Sequence, residues 1–387
     1  MSPEIGLGRE GRYSYGFDEV ALVPSARTID PADVDTSFHL GGHVFEVPII
    51  AAAMDSSVDV RTAALFTKLG GLAVLNLQGI ACRYEDPEEA LEKIRKASPQ
   101  DATRVIQETY QAPLRPELAA KRVDELKKAG AVAAASVTPM YGATIGRAAV
   151  EAGLDILVIQ STVVSNEHKS SRAEPLRIDE LCSDVEIPVI VGNCVGYDVA
   201  IDLMRAGASG ILVGIGPGAA CTTRGVLGIG AGQITSTADV AKARDVYFLE
   251  SGRRVAVITD GGMSKGGEIV KALAAGADAV MIGSAFARAK ESPGRGFHWG
   301  MATADPLLPR GSRIEVKELG TLEQIIRGPA TGRNDGSLNL LGAIRTAQGV
   351  LGCETIQQLH KVEMVVMPSF STEGKSFQIQ QRVGMGT

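Results

Sequence analysis

Short, nearly continuous apolar runs dominate the hydrophobic pattern of the chain. Eight of them recur, at residues 47–54, 72–77, 132–137, 156–161, 188–193, 210–215, 255–260 and 279–284. Unbroken runs of Val, Ile, Leu and Ala are typical of parallel strands that are covered on both faces. The pattern therefore predicts eight buried parallel strands.

Segments with helical spacing of their apolar residues lie between these runs. The predicted helices are 59–69, 87–96, 116–129, 143–152, 198–206, 264–275 and 338–350. Strands that alternate with helices in this way favour an α/β fold, the (β/α)8 TIM barrel, in which function lies in the loops that follow the strands. An open, doubly wound parallel sheet is the alternative arrangement of the same elements.

Two long segments interrupt the alternation. Residues 83–128, between the second and third strands, are polar and mainly helical in pattern, and they are too short for another full-sized domain. Residues 289–334 are rich in Gly, Pro and Arg and predict a long loop or flap, a kind of segment that is usually functional or disordered. A strand-like tail, 362–367, follows the last helix. We expect a single barrel domain over residues 1–387, with the flap inside it.

Composition and charge narrow the classes of function. The formal net charge is −6, which argues against nucleic-acid binding, although backbone N–H groups can still hold a phosphorylated small molecule. The apolar runs are too short to cross a membrane, and residues 1–16 lack the apolar core of a signal peptide. The five cysteines are scattered without metal-ligand spacing. We therefore expect a cytoplasmic protein with no nucleic-acid or membrane partner.

The strongest chemical signal is the loop 214–224 (GIGPGAACTTR), which directly follows the sixth predicted strand. Three glycines at alternate positions make a tight, exposed backbone whose carbonyl and amide groups can reach a ligand or an ion. Cys221 in this loop has the exposed position and hydroxyl neighbours that a nucleophilic thiol needs. The alternative is a glycine turn with an incidental cysteine, but the coincidence of strand, loop, cysteine and Thr-Thr-Arg favours catalysis.

A second signal lies at the ends of the last two strands. Asp260 is followed by two glycines at the end of the seventh strand, and Gly283 and Ser284 end the eighth. In TIM barrels these loops form the usual phosphate site, where backbone N–H groups hold the anion. Asp260 would then accept hydrogen bonds from sugar hydroxyls, because a carboxylate next to the phosphate would repel it. Two ordinary barrel turns are the alternative interpretation.

Together, these residues resemble the IMP dehydrogenase/GMP reductase family. The resemblance is carried by residues 16–20, 22–24, 48–55 (PIIAAAMD), 192–193, 214–224, 260–262 and 282–284, and more weakly from 299 through the last helix. It covers nearly the whole chain, and its cysteine loop is highly specific. The resemblance implies a barrel that binds a purine nucleotide monophosphate (GMP or IMP) beside a nicotinamide cofactor. It also implies a homotetramer or an octamer.

The resemblance also implies roles for individual residues. Cys221 would attack C2 of the purine as a thiolate, Thr223 would help to activate water or ammonia, and the carbonyls of Gly216, Gly218 and Cys221 would hold a monovalent cation such as K⁺. The implied substrate-binding residues are Met54, Asn193, Gly218, Asp260, Gly261, Gly262, Gly283, Ser284, Trp299, Gly300 and Met301. The implied cofactor-binding residues are Gln160, Ser161 and Thr162.

Departures from the family pattern bear on the choice between its two activities. Dehydrogenases usually carry a regulatory domain after the second strand, and residues 84–128 are too short for it; reductases lack it as well. The Arg-Tyr pair that activates water in dehydrogenases has no counterpart in residues 302–308, which favours a reductase. Against this, Arg310 stands where reductases carry a Glu, and residues 76–78 (NLQ) replace a His-Lys pair. Two further departures are Gln160 for an Asp and Ala219 for a Ser.

We predict a GMP reductase, which would use NADPH to convert GMP into IMP and ammonia through a covalent intermediate on Cys221. The first alternative is an IMP dehydrogenase, which would use NAD to oxidise IMP to XMP. The second is a purine-nucleotide-binding regulator that has kept the pocket and lost turnover.

Overall fold

The eight predicted strands close into one parallel barrel. A computed structural model describes residues 3–171, 174–367 and 375–384 of the chain. The barrel strands are β1 (Ile49–Ala51), β2 (Leu72–Asn76), β3 (Ala134–Val137), β4 (Ile156–Gln160), β5 (Val189–Cys194), β6 (Gly210–Val213), β7 (Ala256–Asp260) and β8 (Ala279–Ile282). Each strand pairs in parallel with its neighbour in sequence, and β8 pairs with β1. The (β/α)8 prediction is confirmed, and the open-sheet alternative is wrong.

A helix follows each barrel strand. These helices are α1 (Val60–Lys68), α2 (Pro116–Lys128), α3 (Arg147–Glu151), α4 (Ile178–Asp184), α5 (Tyr197–Arg205), α6 (Gln233–Ser251), α7 (Gly266–Ala274) and α8 (Leu340–Leu351). The helix predicted over 143–152 begins as a π-helical stretch, Gly142–Gly146, before it continues as α3. Two extra helices, Glu88–Lys96 and Ala102–Thr109, fill the connection between β2 and α2.

The strands are continuously apolar because both of their faces are buried. Alternate side chains fill the barrel interior, and the others pack against the helices, as the two-residue period of a strand requires. Leu40 and Phe45, from a hairpin that precedes β1, join the interior cluster and plug one end of the barrel. The loops that follow the strands are therefore left to form the functional face at the opposite end.

The segment predicted as a flap, 289–334, contains more regular structure than a loop. Phe297–His298 pairs antiparallel with Ile314–Glu315, and the segment also contains the short helices Met301–Ala304 and Leu322–Ile326. The strand-like tail is present as Met364–Val366, which pairs antiparallel with residues 20–22 near the N-terminus. Nowhere in the described residues is there a helix with the length and hydrophobicity needed to cross a bilayer.

Candidate active site

The cysteine loop connects β6 to a short helix, Thr223–Leu227, and the side chain of Arg224 braces it from within. The Nε of Arg224 donates to the carbonyl of Ile215 at 3.0 Å, and a terminal guanidinium nitrogen donates to the carbonyl of Ala231 at 2.7 Å. Gly216 has φ +70°, and a Cβ there would lie 2.9 Å from the Cγ of Arg224. Glycine is required at this position by both backbone conformation and space.

The thiol of Cys221 lies beside a buried hydroxyl. Its Sγ is 3.1 Å from Oγ1 of Thr223, and its backbone N–H donates to the carbonyl of Gly218 at 3.0 Å. Cys221 is half-buried, whereas Cys82 and Cys194 are buried, and burial raises the pKa of each of those two thiols to about 12. Because only a thiolate is a good nucleophile, those two cysteines are inert by comparison.

The flap lies directly over the cysteine loop. Two backbone hydrogen bonds join the two segments, Thr222 N–H to Arg310 O at 2.8 Å and Ser312 N–H to Ala220 O at 3.0 Å. Gly311 consequently lies opposite Cys221 in an antiparallel bridge, and the carbonyl oxygen of Arg310 is 3.7 Å from Sγ. The thiol is therefore enclosed between its own loop and the flap.

The base of the flap is held by a buried polar cluster. Trp299 is only 1% exposed, and its indole N–H donates to the hydroxyl of Tyr110 at 3.3 Å. That hydroxyl in turn hydrogen-bonds the carboxyl group of Asp55, whose pKa is raised by burial. The Trp299 side chain is thus part of the core, so in the predicted substrate-binding role it is the backbone of Trp299 that would make the contact.

His298 joins the base of the flap to the loops after β1 and β8. Its Nδ1 lies 3.0 Å from the hydroxyl of Ser56, and burial lowers the pKa of the imidazole to about 4, so the ring is neutral at pH 7. A Cβ on Gly283 would lie 2.8 Å from Sδ of Met54 and 3.3 Å from the His298 ring, and Gly300 also lies against Met54. Sequence analysis missed His298; its place beside the Trp-Gly-Met stretch was the only signal for it.

Asp260, at the end of β7, is the centre of a hydrogen-bond network. Its Oδ2 accepts from Nδ2 of Asn193 at 2.7 Å and from Nε2 of Gln160 at 3.0 Å. Nε2 of Gln160 also lies 3.3 Å from Oδ1 of Asn193. Burial raises the pKa of Asp260 to about 6, while the two amide donors act in the opposite direction by stabilising the charged form.

The two glycines after Asp260 are packed against the cysteine loop. Gly261 and Gly262 have φ +80° and +81°, and a Cβ on either would lie 3.1 Å from Pro217. The left-handed backbone conformation and the close approach together explain why both positions are glycine. The predicted phosphate loop and the predicted catalytic loop are therefore in direct contact.

Gln233, the first residue of α6, ties these two loops to the barrel. Its Nε2 donates to the carbonyl of Asp260 at 2.8 Å and lies 3.3 Å from the carbonyls of Val213 and Gly261. Sequence analysis missed Gln233 because it did not predict α6, and no motif in the sequence marks a side chain that bonds backbone carbonyls.

The remaining predicted residues lie at the same face of the barrel. Ser284 and Met301 each begin a short helix, Ser284–Ala287 and Met301–Ala304. Ser161 and Thr162 are half-buried at the end of β4. The side-chain amide of Gln160, which we predicted to bind the cofactor, is directed at Asp260.

The carbonyls predicted to hold a monovalent cation are compatible with that role. The carbonyl of Gly218 accepts one hydrogen bond and keeps a second lone pair, and those of Gly216 and Cys221 accept none from the described residues. Oxygen ligands of this kind suit hard cations. Over the same described ranges, no group of three or more His, Cys, Asp and Glu side chains is arranged to hold a metal ion.

Comparison with known proteins agrees with this arrangement. A sequence profile of the IMP dehydrogenase / GMP reductase domain matches residues 14–376. An uncharacterized oxidoreductase of Mycolicibacterium smegmatis is 38% identical over 94% of this chain and 99% of its own length. An inosine-5'-monophosphate dehydrogenase of Borreliella burgdorferi is 29% identical over 89% of this chain and 91% of its own.

Among solved structures, an IMP dehydrogenase/GMP reductase-like protein from Corynebacterium glutamicum superposes with a TM-score of 0.89. The two sequences are 36% identical, and the match covers 94% of this chain and 97% of the other. The profile match, these relatives and the cysteine loop at the mouth of a closed eight-stranded barrel place this chain in the IMP dehydrogenase/GMP reductase family of oxidoreductases, which act on purine nucleotides with a nicotinamide cofactor.

Proposed function

We propose that this member of the family is a GMP reductase, which converts GMP and NADPH into IMP, ammonia and NADP⁺. The observation that carries the proposal is the environment of the thiol. Cys221 has a hydroxyl 3.1 Å away and is covered by a flap in which residues 302–308 contain neither Arg nor Tyr. A reductase releases ammonia and needs no activated water, so a flap without this Arg-Tyr pair suits it better than it suits a dehydrogenase.

In the proposed reaction, the Cys221 thiolate adds to C2 of the purine and the exocyclic amine leaves as ammonia. The hydroxyl of Thr223, 3.1 Å from the sulfur, would pass a proton to the departing amine. After C2 has been reduced, the C–S bond breaks and the thiolate is restored with IMP. This use of a covalent intermediate divides one difficult substitution into two easier steps.

The other parts of the site would position the reactants. Asp260 accepts hydrogen bonds from the ribose hydroxyls, and the backbone N–H groups after β7 and β8 hold the phosphate. The nicotinamide cofactor supplies the hydride when it is bound, and Ser161 and Thr162 are the residues that would hold it. The loop carbonyls of Gly216, Gly218 and Cys221 would bind K⁺, and the cation would then fix the backbone around the thiol.

Arg310 is the observation that favours an IMP dehydrogenase as the second candidate. Its carbonyl is 3.7 Å from the sulfur and the residue is half-buried, so the flap carries an arginine whose backbone lies at the thiol. An arginine in the flap is one half of the pair that the family uses to activate water. The missing tyrosine keeps this assignment second.

A four-way assay separates these possibilities. GMP or IMP is combined with NADP(H) or NAD(H) at fixed KCl, and NAD(P)H absorbance and ammonia release are recorded for the wild type and Cys221→Ala. We expect NADPH oxidation with GMP, matched by ammonia, and at least about a thousandfold loss of rate in Cys221→Ala. Turnover of IMP with NAD and none of GMP would establish the dehydrogenase. Tight nucleotide binding without any turnover would establish the regulator.

A further inference from the structure

Gln160 stands at the end of β4, and its side-chain amide is directed across the barrel mouth. Its Nε2 lies 3.0 Å from Oδ2 of Asp260 and 3.3 Å from Oδ1 of Asn193. Asn193 donates to the same oxygen of Asp260 at 2.7 Å. One carboxylate oxygen therefore receives both amide donors, and the three side chains form a closed network.

We propose that Gln160 is a positioning residue for the nucleotide: it holds Asp260 ionised and correctly turned, so that Oδ1 accepts hydrogen bonds from the ribose hydroxyls. This inference rests on the proposed function of the pocket as a purine ribonucleotide site. Gln160 is thereby assigned to the binding of the substrate and not of the cofactor. Discrimination between ribose and deoxyribose would then depend on a residue that does not itself contact the sugar.

The two carboxylate oxygens of Asp260 differ in their hydrogen bonds. Oδ2 is committed to the two amides, whereas Oδ1 accepts no hydrogen bond from the described residues. An ionised carboxylate accepts on both oxygens, but a protonated one presents a donor on one of them. Because the amides fix Oδ2, the free position that a ribose hydroxyl would meet is Oδ1, and protonation there would replace the acceptor with a donor.

The surroundings of Asp260 make the two amides the main support of its charge. Gln160 of β4 and Asn193 of β5 donate to its carboxylate, and both are uncharged. The neighbouring residue of β8 is Met281, and Gln233 of α6 bonds only the backbone carbonyl of Asp260; these two are uncharged as well. Burial favours the neutral acid, and the hydrogen bonds from Asn193 and Gln160 oppose it. Loss of the Gln160 donor therefore shifts the balance toward the protonated form, and within the described part of the chain no cation acts on this carboxylate to compensate.

The test uses Gln160→Met, which keeps the length of the side chain and removes the amide, together with Gln160→Glu, which places a second carboxyl group beside Asp260. Gln78→Met is the matched control, since Gln78 is a buried glutamine after β2 that bonds the N–H of Thr138 and not Asp260. Calorimetry measures the binding of GMP and of 2′-deoxy-GMP to each protein, without nicotinamide cofactor, from about pH 5 to about pH 8.5.

In the wild type, we expect GMP to bind about tenfold more tightly than 2′-deoxy-GMP above pH 7, and this ratio to decline as Asp260 is protonated. In Gln160→Met the midpoint of this decline moves up by about one pH unit, and in Gln160→Glu by more, because two carboxyl groups then share the site. Gln78→Met keeps the wild-type profile.

Three results are decisive. If Gln160→Met weakens both nucleotides equally at every pH, the residue is merely structural and the inference is wrong. If the ratio and its pH midpoint are unchanged, the network does not act on the ribose. If the wild type binds neither GMP nor 2′-deoxy-GMP, the proposed function itself has failed; because this outcome appears in the wild type, it is distinguishable from the other two.

Discussion

The hydroxyl beside the proposed nucleophile, Cys221, is the residue-scale feature with the clearest chemical consequence. Thr223 is 1% exposed and its Oγ1 is 3.1 Å from the sulfur of Cys221, so its position is fixed by packing. Thr223→Val keeps the shape and removes the hydroxyl. We expect kcat to fall by about a hundredfold or more, the range for one positioned proton carrier, with KM for GMP nearly unchanged.

Thr223→Ser is the control for this substitution, because it restores the hydroxyl without the methyl group. Partial recovery of kcat in Thr223→Ser, measured by steady-state kinetics, would assign the effect to the hydroxyl. Equal losses in the Val and Ser variants would instead assign the effect to packing.

The ionised carboxylate of Asp260 is expected to favour nucleotide binding but to lower the free energy of unfolding, because it is buried. Its pKa is raised from 3.8 to about 6, so between these values the folded chain binds more protons than the unfolded chain. The contribution of Asp260 to the free energy of unfolding is therefore favourable at low pH and lost as pH rises toward 6. Asp260→Asn should make the unliganded protein more stable well above pH 6, by about 3 kcal/mol for a pKa raised by about two pH units, and change little near pH 4.

Urea unfolding of the two proteins at several pH values measures this difference. Asp33→Asn, at an exposed aspartate, is the control and should give a difference that does not vary in this way with pH. A stability gain that is equal at pH 4 and pH 8 would contradict the assigned ionisation. The same Asp260→Asn variant should bind nucleotide more weakly, since its ribose acceptor is no longer charged.

Sequence reasoning predicted residue types at the strand ends better than it predicted where their side chains point. Asp260 ends β7 and Cys221 lies in the loop that follows β6, so the fold alone brings them to one face of the barrel. Trp299 and Gln160 are different, because their orientation depends on partners far away in the chain, Tyr110 for one and Asp260 for the other. No local pattern encodes such a contact.

At the scale of elements, the flap is the part of the fold that controls the thiol. Gly311 lies opposite Cys221, and a Cβ at this position would be 2.6 Å from the hydroxyl of Thr303 and 3.3 Å from the carbonyl of Ala220. Gly311→Ala should therefore push the flap away from the cysteine loop. We expect kcat to fall by about ten- to a hundredfold, while Cys221 reacts faster with a neutral alkylating reagent.

Gly225→Ala is the matched control, since a Cβ there meets no atom within 4 Å. The two variants are compared by steady-state kinetics, alkylation rate and thermal unfolding. Slower turnover in Gly311→Ala without faster alkylation would mean that the flap does not shield the thiol. A large loss of thermal stability would mean that the substitution acts on the fold as a whole.

The elements that were missed share a physical reason. The inner face of α6 (Gln233–Ser251) mixes small polar residues such as Ser236 and Thr237 with apolar ones, so no apolar stripe marks the helix. The flap contains two strands of two residues each, Phe297–His298 and Ile314–Glu315. They are too short to show an alternating apolar pattern, and the sequence between them gives no hairpin signal. The barrel strands, in contrast, were predictable because burial on both faces leaves an unbroken apolar run.

At the scale of the whole molecule, barrel closure explains how an acidic protein presents an anion site. The predicted phosphate loops, 260–262 and 282–284, contain no Lys or Arg, and the formal net charge is −6. Pairing of β8 with β1 brings the loop 282–284 next to residues 54–56, and the hydroxyl of Ser56 joins that region to His298 at the base of the flap. Short-range backbone dipoles, rather than a long-range positive field, would hold the phosphate.

This arrangement predicts an unusual response to salt. Salt weakens the attraction of an anion to a cationic patch. Here the protein and the nucleotide are both negatively charged, so their long-range interaction is repulsive and salt weakens that repulsion. Between ionic strengths of about 0.05 M and about 0.3 M, set with choline chloride at constant KCl, we expect KM for GMP to stay within about twofold of its starting value or to fall. Steady-state kinetics measures this directly, with the neutral nucleoside guanosine as a competing ligand for reference. A KM that rises tenfold over this range would show that lysine or arginine side chains, not backbone groups, bind the phosphate.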